Sequence, residues 1–267
     1  VPDPHRKAFP EFLAFAHTLA DRSGAVILPR FRRRIAIEAK ATAGFFDPVT
    51  AADRAAERAI RTMINRRWPD HGIFGEELGE KPASSPYRWI VDPIDGTRSF
   101  ILGLPVWGTL IALTSDGQPL LGLMDQPYTR ERFWSAANAS YFRGPDDRTT
   151  RLRTRACPDL ASAMLTTTHP DLFAQGRERS TFQRLKAEVR DTRYGGDCYA
   201  YCLLAAGHID IVMEAGLKAH DIAALIPIIE RAGGIVTDWK GGSVIGGGNV
   251  LACGDPVLHE RVLALIS

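Results

Sequence analysis

The sequence predicts an α/β fold of layered α+β type. Three observations carry this. Apolar residues recur at helical spacing near the start and again after residue 50. The stretch 89–143 reads as short strands joined by tight turns. Beyond Gly144-Pro145-Asp146-Asp147, helix and strand signals alternate. That break divides the 267 residues into a part spanning 1–145 and a part spanning 146–267. Either would suit the usual domain size of ~100–200 residues.

The elements follow in order. Phe12, Leu13, Ala16, Leu19 and Ala20 form an apolar stripe that predicts a helix over 9–31. Residues 39–49, with Gly44 and Pro48, read as a loop. Thr50 suits an N-cap, and Ala52, Ala55, Ala59, Ile60, Met63 and Ile64 continue a second helix up to Pro69. Trp89-Ile90-Val91 is a short apolar strand delivering Asp92. Residues 106–114 and 119–124 pair around Ser115-Asp116-Gly117-Gln118, and 132–136 and 140–143 add two strands. Next come a strand at 163–167, helices at 180–187 and 198–206, and a strand at 209–213. A helix over 222–231 stops at Gly233-Gly234, a strand follows at 235–237, and a helix over 256–266 closes the chain.

Composition excludes several classes. Hydrophobic residues are 45% and charged residues 24%, a balance that excludes disordered and fibrous chains. No apolar run approaches the ~20 residues that span a bilayer, and Val1-Pro2-Asp3-Pro4-His5 offers no signal-peptide core. The expectation is a soluble, cytoplasmic protein without a membrane partner. Lys and Arg number 33 against 31 Asp and Glu, so the net charge of +2 disfavours a nucleic-acid partner. The run Arg30-Phe31-Arg32-Arg33-Arg34 reads as a solvated helix end rather than an RNA patch. Cys157, Cys198, Cys202 and Cys253 form no C-x-x-C pair, which disfavours zinc and predicts free thiols.

The acids are unevenly placed. Gly75-Glu76-Glu77, Asp92-Pro93-Ile94-Asp95-Gly96-Thr97, Asp53 and Asp221 each set a carboxylate beside a turn or a helix start. An Asp-Pro-x-Asp-Gly segment is ordinarily a self-bonded turn. Here an apolar strand leads into it, and Thr97, Ser99 and Phe100 begin a short helix whose free N–H groups could cradle a phosphate. Two carboxylates beside such a cradle would repel the anion unless a hard cation such as Mg²⁺ lay between them. Asp221 has capping as its plain reading, and the same position aims it over the strand ends, where ligands of α/β sheets bind.

These segments, with Asp47-Pro48-Val49-Thr50-Ala51-Ala52-Asp53 and the stretch from Asp221 to Gly234, resemble the signatures of the inositol monophosphatase superfamily over nearly the whole chain. The resemblance implies an αβαβα sandwich and a Mg²⁺-dependent phosphomonoesterase. The first part would carry most metal ligands, and the second would add Asp221 and the substrate pocket, closing one continuous catalytic unit. Glu76, Asp92 and the carbonyl of Ile94 would hold one Mg²⁺, and Asp92, Asp95 and Asp221 a second. A third ion would lie near Glu76 and Glu77, by the loop carrying Lys40. Asp95, Gly96 and Thr97 would bind phosphate, and Asp53 with Thr97 would orient and deprotonate water, Glu76 assisting. The family also implies a homodimer, for which apolar surface at 106–124 could serve.

Within the superfamily, Arg98-Ser99-Phe100, Asp197 and Lys218-Ala219-His220 resemble the histidinol-phosphate phosphatase branch. A cationic substrate needs carboxylates not bound to metal, and Asp197 and Glu214 are the candidates. Capping of the helix at Cys198 is the competing reading of Asp197. The alternatives are an inositol 1-phosphate or broad small-molecule phosphatase, and a non-catalytic RNA-binding member. Retention of all expected ligands disfavours the last.

Overall fold

A computed structural model describes residues 4–34, 37–39 and 48–267, with side chains over 7–34 and 50–267. The elements of the first part are α1 (Pro4–Ile27), β1 (Ile37–Ala39), β2 (Pro48–Thr50), α2 (Ala51–Arg67), β3 (Gly72–Gly75), β4 (Gly79–Lys81), β5 (Tyr87–Asp95), α3 (Thr97–Leu102), β6 (Gly108–Ser115), β7 (Gln118–Gln126), β8 (Glu131–Ser135), β9 (Ser140–Arg143) and β10 (Thr149–Arg151). The rest are β11 (Met164–Thr167), α4 (Arg177–Glu188), β12 (Asp191–Tyr194), α5 (Asp197–Ala205), β13 (Ile211–Lys218), α6 (Ala219–Ile222), α7 (Leu225–Glu230), β14 (Ile235–Asp238), β15 (Gly247–Cys253) and α8 (Pro256–Ile266).

Five layers result. An eight-stranded sheet runs β10-β9-β8-β7-β6-β5-β3-β4, and a five-stranded sheet runs β12-β11-β13-β15-β14. The first is antiparallel except for the β3–β5 pair; in the second, β11 is parallel to both β12 and β13. Strand period 2 sorts the β5 side chains between layers. Trp89 and Val91 pack with Phe12, Leu19, Ile60 and Ile64 of α1 and α2 on the outer face. Ile90 points the other way, into a core shared with Tyr201, Leu225 and Ile229 of α5 and α7 and with Val212 and Val250 of the second sheet. Phe182, Leu185, Leu258 and Val262 of α4 and α8 cover that sheet's far face. The order is helix, sheet, helix, sheet, helix, as the sequence led us to expect. The central helix layer lies so close to β7 that a Cβ on Gly122 would fall 1.9 Å from Ala224 O.

The departures have local causes. The helix expected over 222–231 is two pieces, because Pro227 has no N–H to donate to residue 223 and the ladder breaks there. The ends of the expected loop at 39–49 pair as β1 and β2. Lys40 and the rest of that loop up to Asp47 lie outside the described residues. Strand β15, rich in glycine at its start, gave no alternation to read, yet it pairs with both β13 and β14. β10 belongs to the first sheet although it follows the break expected at 145/146. Residues 106–124 offer only a little apolar surface, at the partly exposed Val106, Pro119 and Leu120: β6 is buried throughout, while Leu102, Leu104 and Tyr128 nearby in the sequence are exposed. Nor is the arginine run simply solvated. Arg30 donates to Val26 O at the end of α1, and Arg32 lies 4.6 Å over the Tyr128 ring and donates to Gly103 O. Among the described residues, no helix is long and apolar enough to cross a membrane, and all four cysteines are free and buried.

Candidate active site

A cleft opens where the C-terminal end of β5 meets β13 and the starts of α3, α5 and α6. It is made by an irregularity in β5. Asp92 pairs with Leu110 and Asp95 with Gly108, so three steps on β5 oppose two on β6. Residues three apart on a regular strand face opposite sides; the bulge removes that opposition. Ile94, between them, turns into a pocket of Phe31, Phe100 and Trp107, which anchors the bulge. The Asp92 carboxylate accepts the Ile94 N–H at 3.0 Å. Gly96 then takes φ +80°, and a Cβ there would lie 2.8 Å from the Asp197 carboxyl carbon, so both turn and space require glycine. Thr97 opens α3 and donates its hydroxyl to Ile94 O at 3.1 Å.

Four acids and a histidine converge. Oxygens of Asp92, Asp95 and Asp221 lie within 4.8 Å of one another, as do single ligand atoms of Glu76, Asp92 and His220. Asp221 is held by the Lys218 N–H at 2.7 Å, its capping role, and by His220 at 3.3 Å. Burial, and then the neighbouring carboxylates, push Asp92 and Asp95 well above the ordinary Asp value; Asp221 is raised by burial. His220 offers a ring nitrogen, and its buried Nδ1 has no partner; the other donors are hard carboxylate oxygens crowded at one point. This donor set fits Mg²⁺. His220 is the addition the sequence underweighted.

Behind the cleft, α2 presents two buried acids one turn apart. Asp53 Oδ2 accepts both the N–H and the hydroxyl of Thr50, while Oδ1 is buried without a partner. Burial pushes this carboxyl up to about 6. The Thr97 hydroxyl proton goes to Ile94, so Asp53 is joined to Thr50 and not to Thr97. Asp53 does not line the cleft. The second acid, Glu57, escaped the sequence reading. It is fully buried, accepts the N–H groups of Glu77 and Leu78 at 2.7 and 3.1 Å, and pairs with Arg61 at 2.7 Å. The signal was present: Asp53, Glu57, Ile60 and Ile64 share one helical stripe, and an acid on a buried stripe needs a partner. Glu77 itself joins neither carboxylate group and does not line the cleft.

The opposite wall carries Asp197 and Glu214, outside both ligand groups. Glu214 sits on β13 at a second bulge, where Glu214 pairs with Val250 and Leu217 with Gly248. It accepts the Thr168 N–H at 2.8 Å and contacts the Tyr201 hydroxyl at 3.3 Å, and burial pushes it up to about 7. Asp197 does not cap α5. Its φ is +43° and its carboxylate accepts the Ser99 hydroxyl at 2.6 Å. The cap comes from across the cleft: Asp95 accepts the Cys198 N–H at 2.7 Å.

Comparison with known proteins adds to this geometry. The model of the inositol monophosphatase family matches residues 10–267. The chain is 44% identical to the "Bifunctional phosphatase IMPL2, chloroplastic" of Arabidopsis thaliana, over 94% of this chain and 74% of that protein. It is 36% identical to a histidinol-phosphatase of Mycobacterium tuberculosis, over 96% and 97% of the two chains. Among solved structures, an inositol monophosphatase from Zymomonas mobilis superposes with a TM-score of 0.85 at 42% identity, covering 97% of this chain and 98% of that one.

Proposed function

The chain belongs to the inositol monophosphatase family of phosphatases, and from that premise we propose that it hydrolyses L-histidinol phosphate to L-histidinol and phosphate, a step of histidine synthesis, as a Mg²⁺-dependent homodimer. One observation carries the substrate assignment. Asp95, not Asp197, accepts the N–H of Cys198, so the competing capping role of Asp197 is taken and its carboxylate stands at the cleft wall, held by Ser99, where a substrate ammonium would sit. The similarity to a histidinol-phosphatase over nearly the full length of both chains supports the same reading.

Glu76, Asp92 and the Ile94 carbonyl would hold one Mg²⁺, and Asp92, Asp95 and Asp221 another. Two such ions lower the pKa of water and stabilise a leaving alkoxide. The remaining work is positional. The N–H groups of Gly96 and Thr97 receive the phosphate. Water attacks phosphorus in line, the bond to the alcohol oxygen breaks, and the alkoxide takes a proton from solvent; the water's proton would reach Asp53, which lies behind the cleft, through the Thr97 hydroxyl once that hydroxyl turns away from Ile94 O. A carboxyl ionising near pH 6 suits that acceptor role. Asp197 and Glu214 face the cationic end of the substrate.

The likeness to a protein named as a bifunctional phosphatase and to an inositol monophosphatase favours one second reading, a broader small-phosphate specificity. Phosphate release with Mg²⁺ separates the two. We expect kcat/KM for histidinol phosphate to exceed that for inositol 1-phosphate and adenosine 3′,5′-bisphosphate; the reverse order overturns the substrate assignment.

A further inference from the structure

We propose that Glu57 is a positioning residue that fixes the Glu76 carboxylate for cation binding, by serving as an internal anion for the turn that carries Glu76. Successive backbone N–H groups in a tight turn form a concavity that binds anions. Here the occupant is the protein's own side chain. The Glu76 N–H is bound to Val91 O of β5, and the next two, of Glu77 and Leu78, point to the two oxygens of Glu57. Three consecutive N–H groups are thus pinned, the first to the strand that carries Asp92 and the others to the helix that carries Asp53. Arg61, one turn further along α2, binds Glu57 and reaches Gly79 O beyond the turn, so the anchor spans the whole excursion from β3 to β4. Space is reserved for it: a Cβ on Gly75 would lie 2.0 Å from Glu57 Oε1, so residue 75 has room for a carboxylate only as glycine.

The arrangement explains why a fully buried carboxylate sits on the apolar stripe of α2. Without it the N–H groups of Glu77 and Leu78 would lose their protein acceptor. Glu76 stands between β3 and this anchor, so its backbone has little freedom, and its side chain meets Asp92 and His220 from a fixed origin. Groups that orient a metal ligand typically change metal affinity by about 10–100-fold when removed.

This inference rests on the Mg²⁺ reading above, and calorimetric titration of the purified chain with MgCl₂ separates the two. Wild type is expected to bind Mg²⁺, and Glu57→Gln, which keeps one acceptor oxygen but places an amide NH₂ against a turn N–H, to bind about tenfold more weakly. The Mg²⁺ concentration for half-maximal phosphatase activity should rise in parallel, while kcat at saturating Mg²⁺ stays within about twofold. A merely structural role would lower Tm and leave the Mg²⁺ affinity of the folded fraction unchanged; that result overturns the proposal. If Glu57→Gln does not fold, Arg61→Met takes its place: Glu57 remains, its lateral anchor is lost, and a several-fold weaker Mg²⁺ affinity is expected, an unchanged one counting against us. Absence of Mg²⁺ binding by wild type overturns the cation reading and this inference with it.

Discussion

The two walls of the cleft use one backbone device for opposite ends. β5 and β13 each carry a bulge in which three steps oppose two on the partner strand. On the β5 wall the bulge helps gather Asp92 and Asp95 with Asp221; burial raises both, and neighbouring carboxylates add to it, Glu76 first for Asp92 and Asp197 from the other wall first for Asp95. On the β13 wall Glu214 is satisfied by a backbone N–H and a tyrosine hydroxyl, and Asp197 by a serine. On the proposed reading the first wall would take a cation, and the second would turn its carboxylates to the substrate. Identical side-chain chemistry thus acquires different roles from the number of donors the fold supplies.

The largest effect should come from the first wall. Asp92→Asn removes the acid shared by both ligand groups, and kcat/KM should fall by at least about 10²–10³-fold for every phosphomonoester, read by phosphate release. A loss confined to histidinol phosphate would break the comparison. On the second wall, Asp197→Asn should raise KM for histidinol phosphate about tenfold, equivalent to ~1.4 kcal/mol, with little change for a substrate lacking an amine such as glycerol 2-phosphate. Equal effects on both would reduce Asp197 to a structural partner of Ser99.

The smallest effect concerns stability without Mg²⁺. Glu214 releases its proton near 4.5 in an unfolded chain and near 7 when folded. Between those values the folded state holds the extra proton. The contribution is therefore full below about pH 4.5 and lost as pH rises through about 7. Glu214→Gln should flatten this part of the Tm–pH profile by the equivalent of about 1–3 kcal/mol, at ~2–4 °C per kcal/mol. An unaltered slope would place the titration elsewhere.

The sequence made the first wall legible and the second only partly so. Asp92, Asp95, Gly96 and Thr97 lie within six residues, and their strand-to-helix context is written in Trp89-Ile90-Val91 and in Gly96. The N-cap at Thr50 and the turn at Asp116-Gly117 were readable because local chemistry dictates them, and the structure has both. Capping stayed open as a competing reading of Asp197 because the group that binds the Cys198 N–H, Asp95, is 103 positions away from it. Glu57 was hidden by the habit of reading an acid on a helix as exposed. β15 was invisible because its glycines pack by backbone alone, and the split at Ala223-Ala224 depended on Pro227, three residues on.

Asp95 has one further consequence. One of its oxygens lies among the clustered carboxylates while the side chain closes the end of α5, a helix delivered by the other sheet. It is a rivet through two plates as well as a terminal for charge. A substitution there loosens the joint and the electrical contact together, so its effect on rate is a product of two losses.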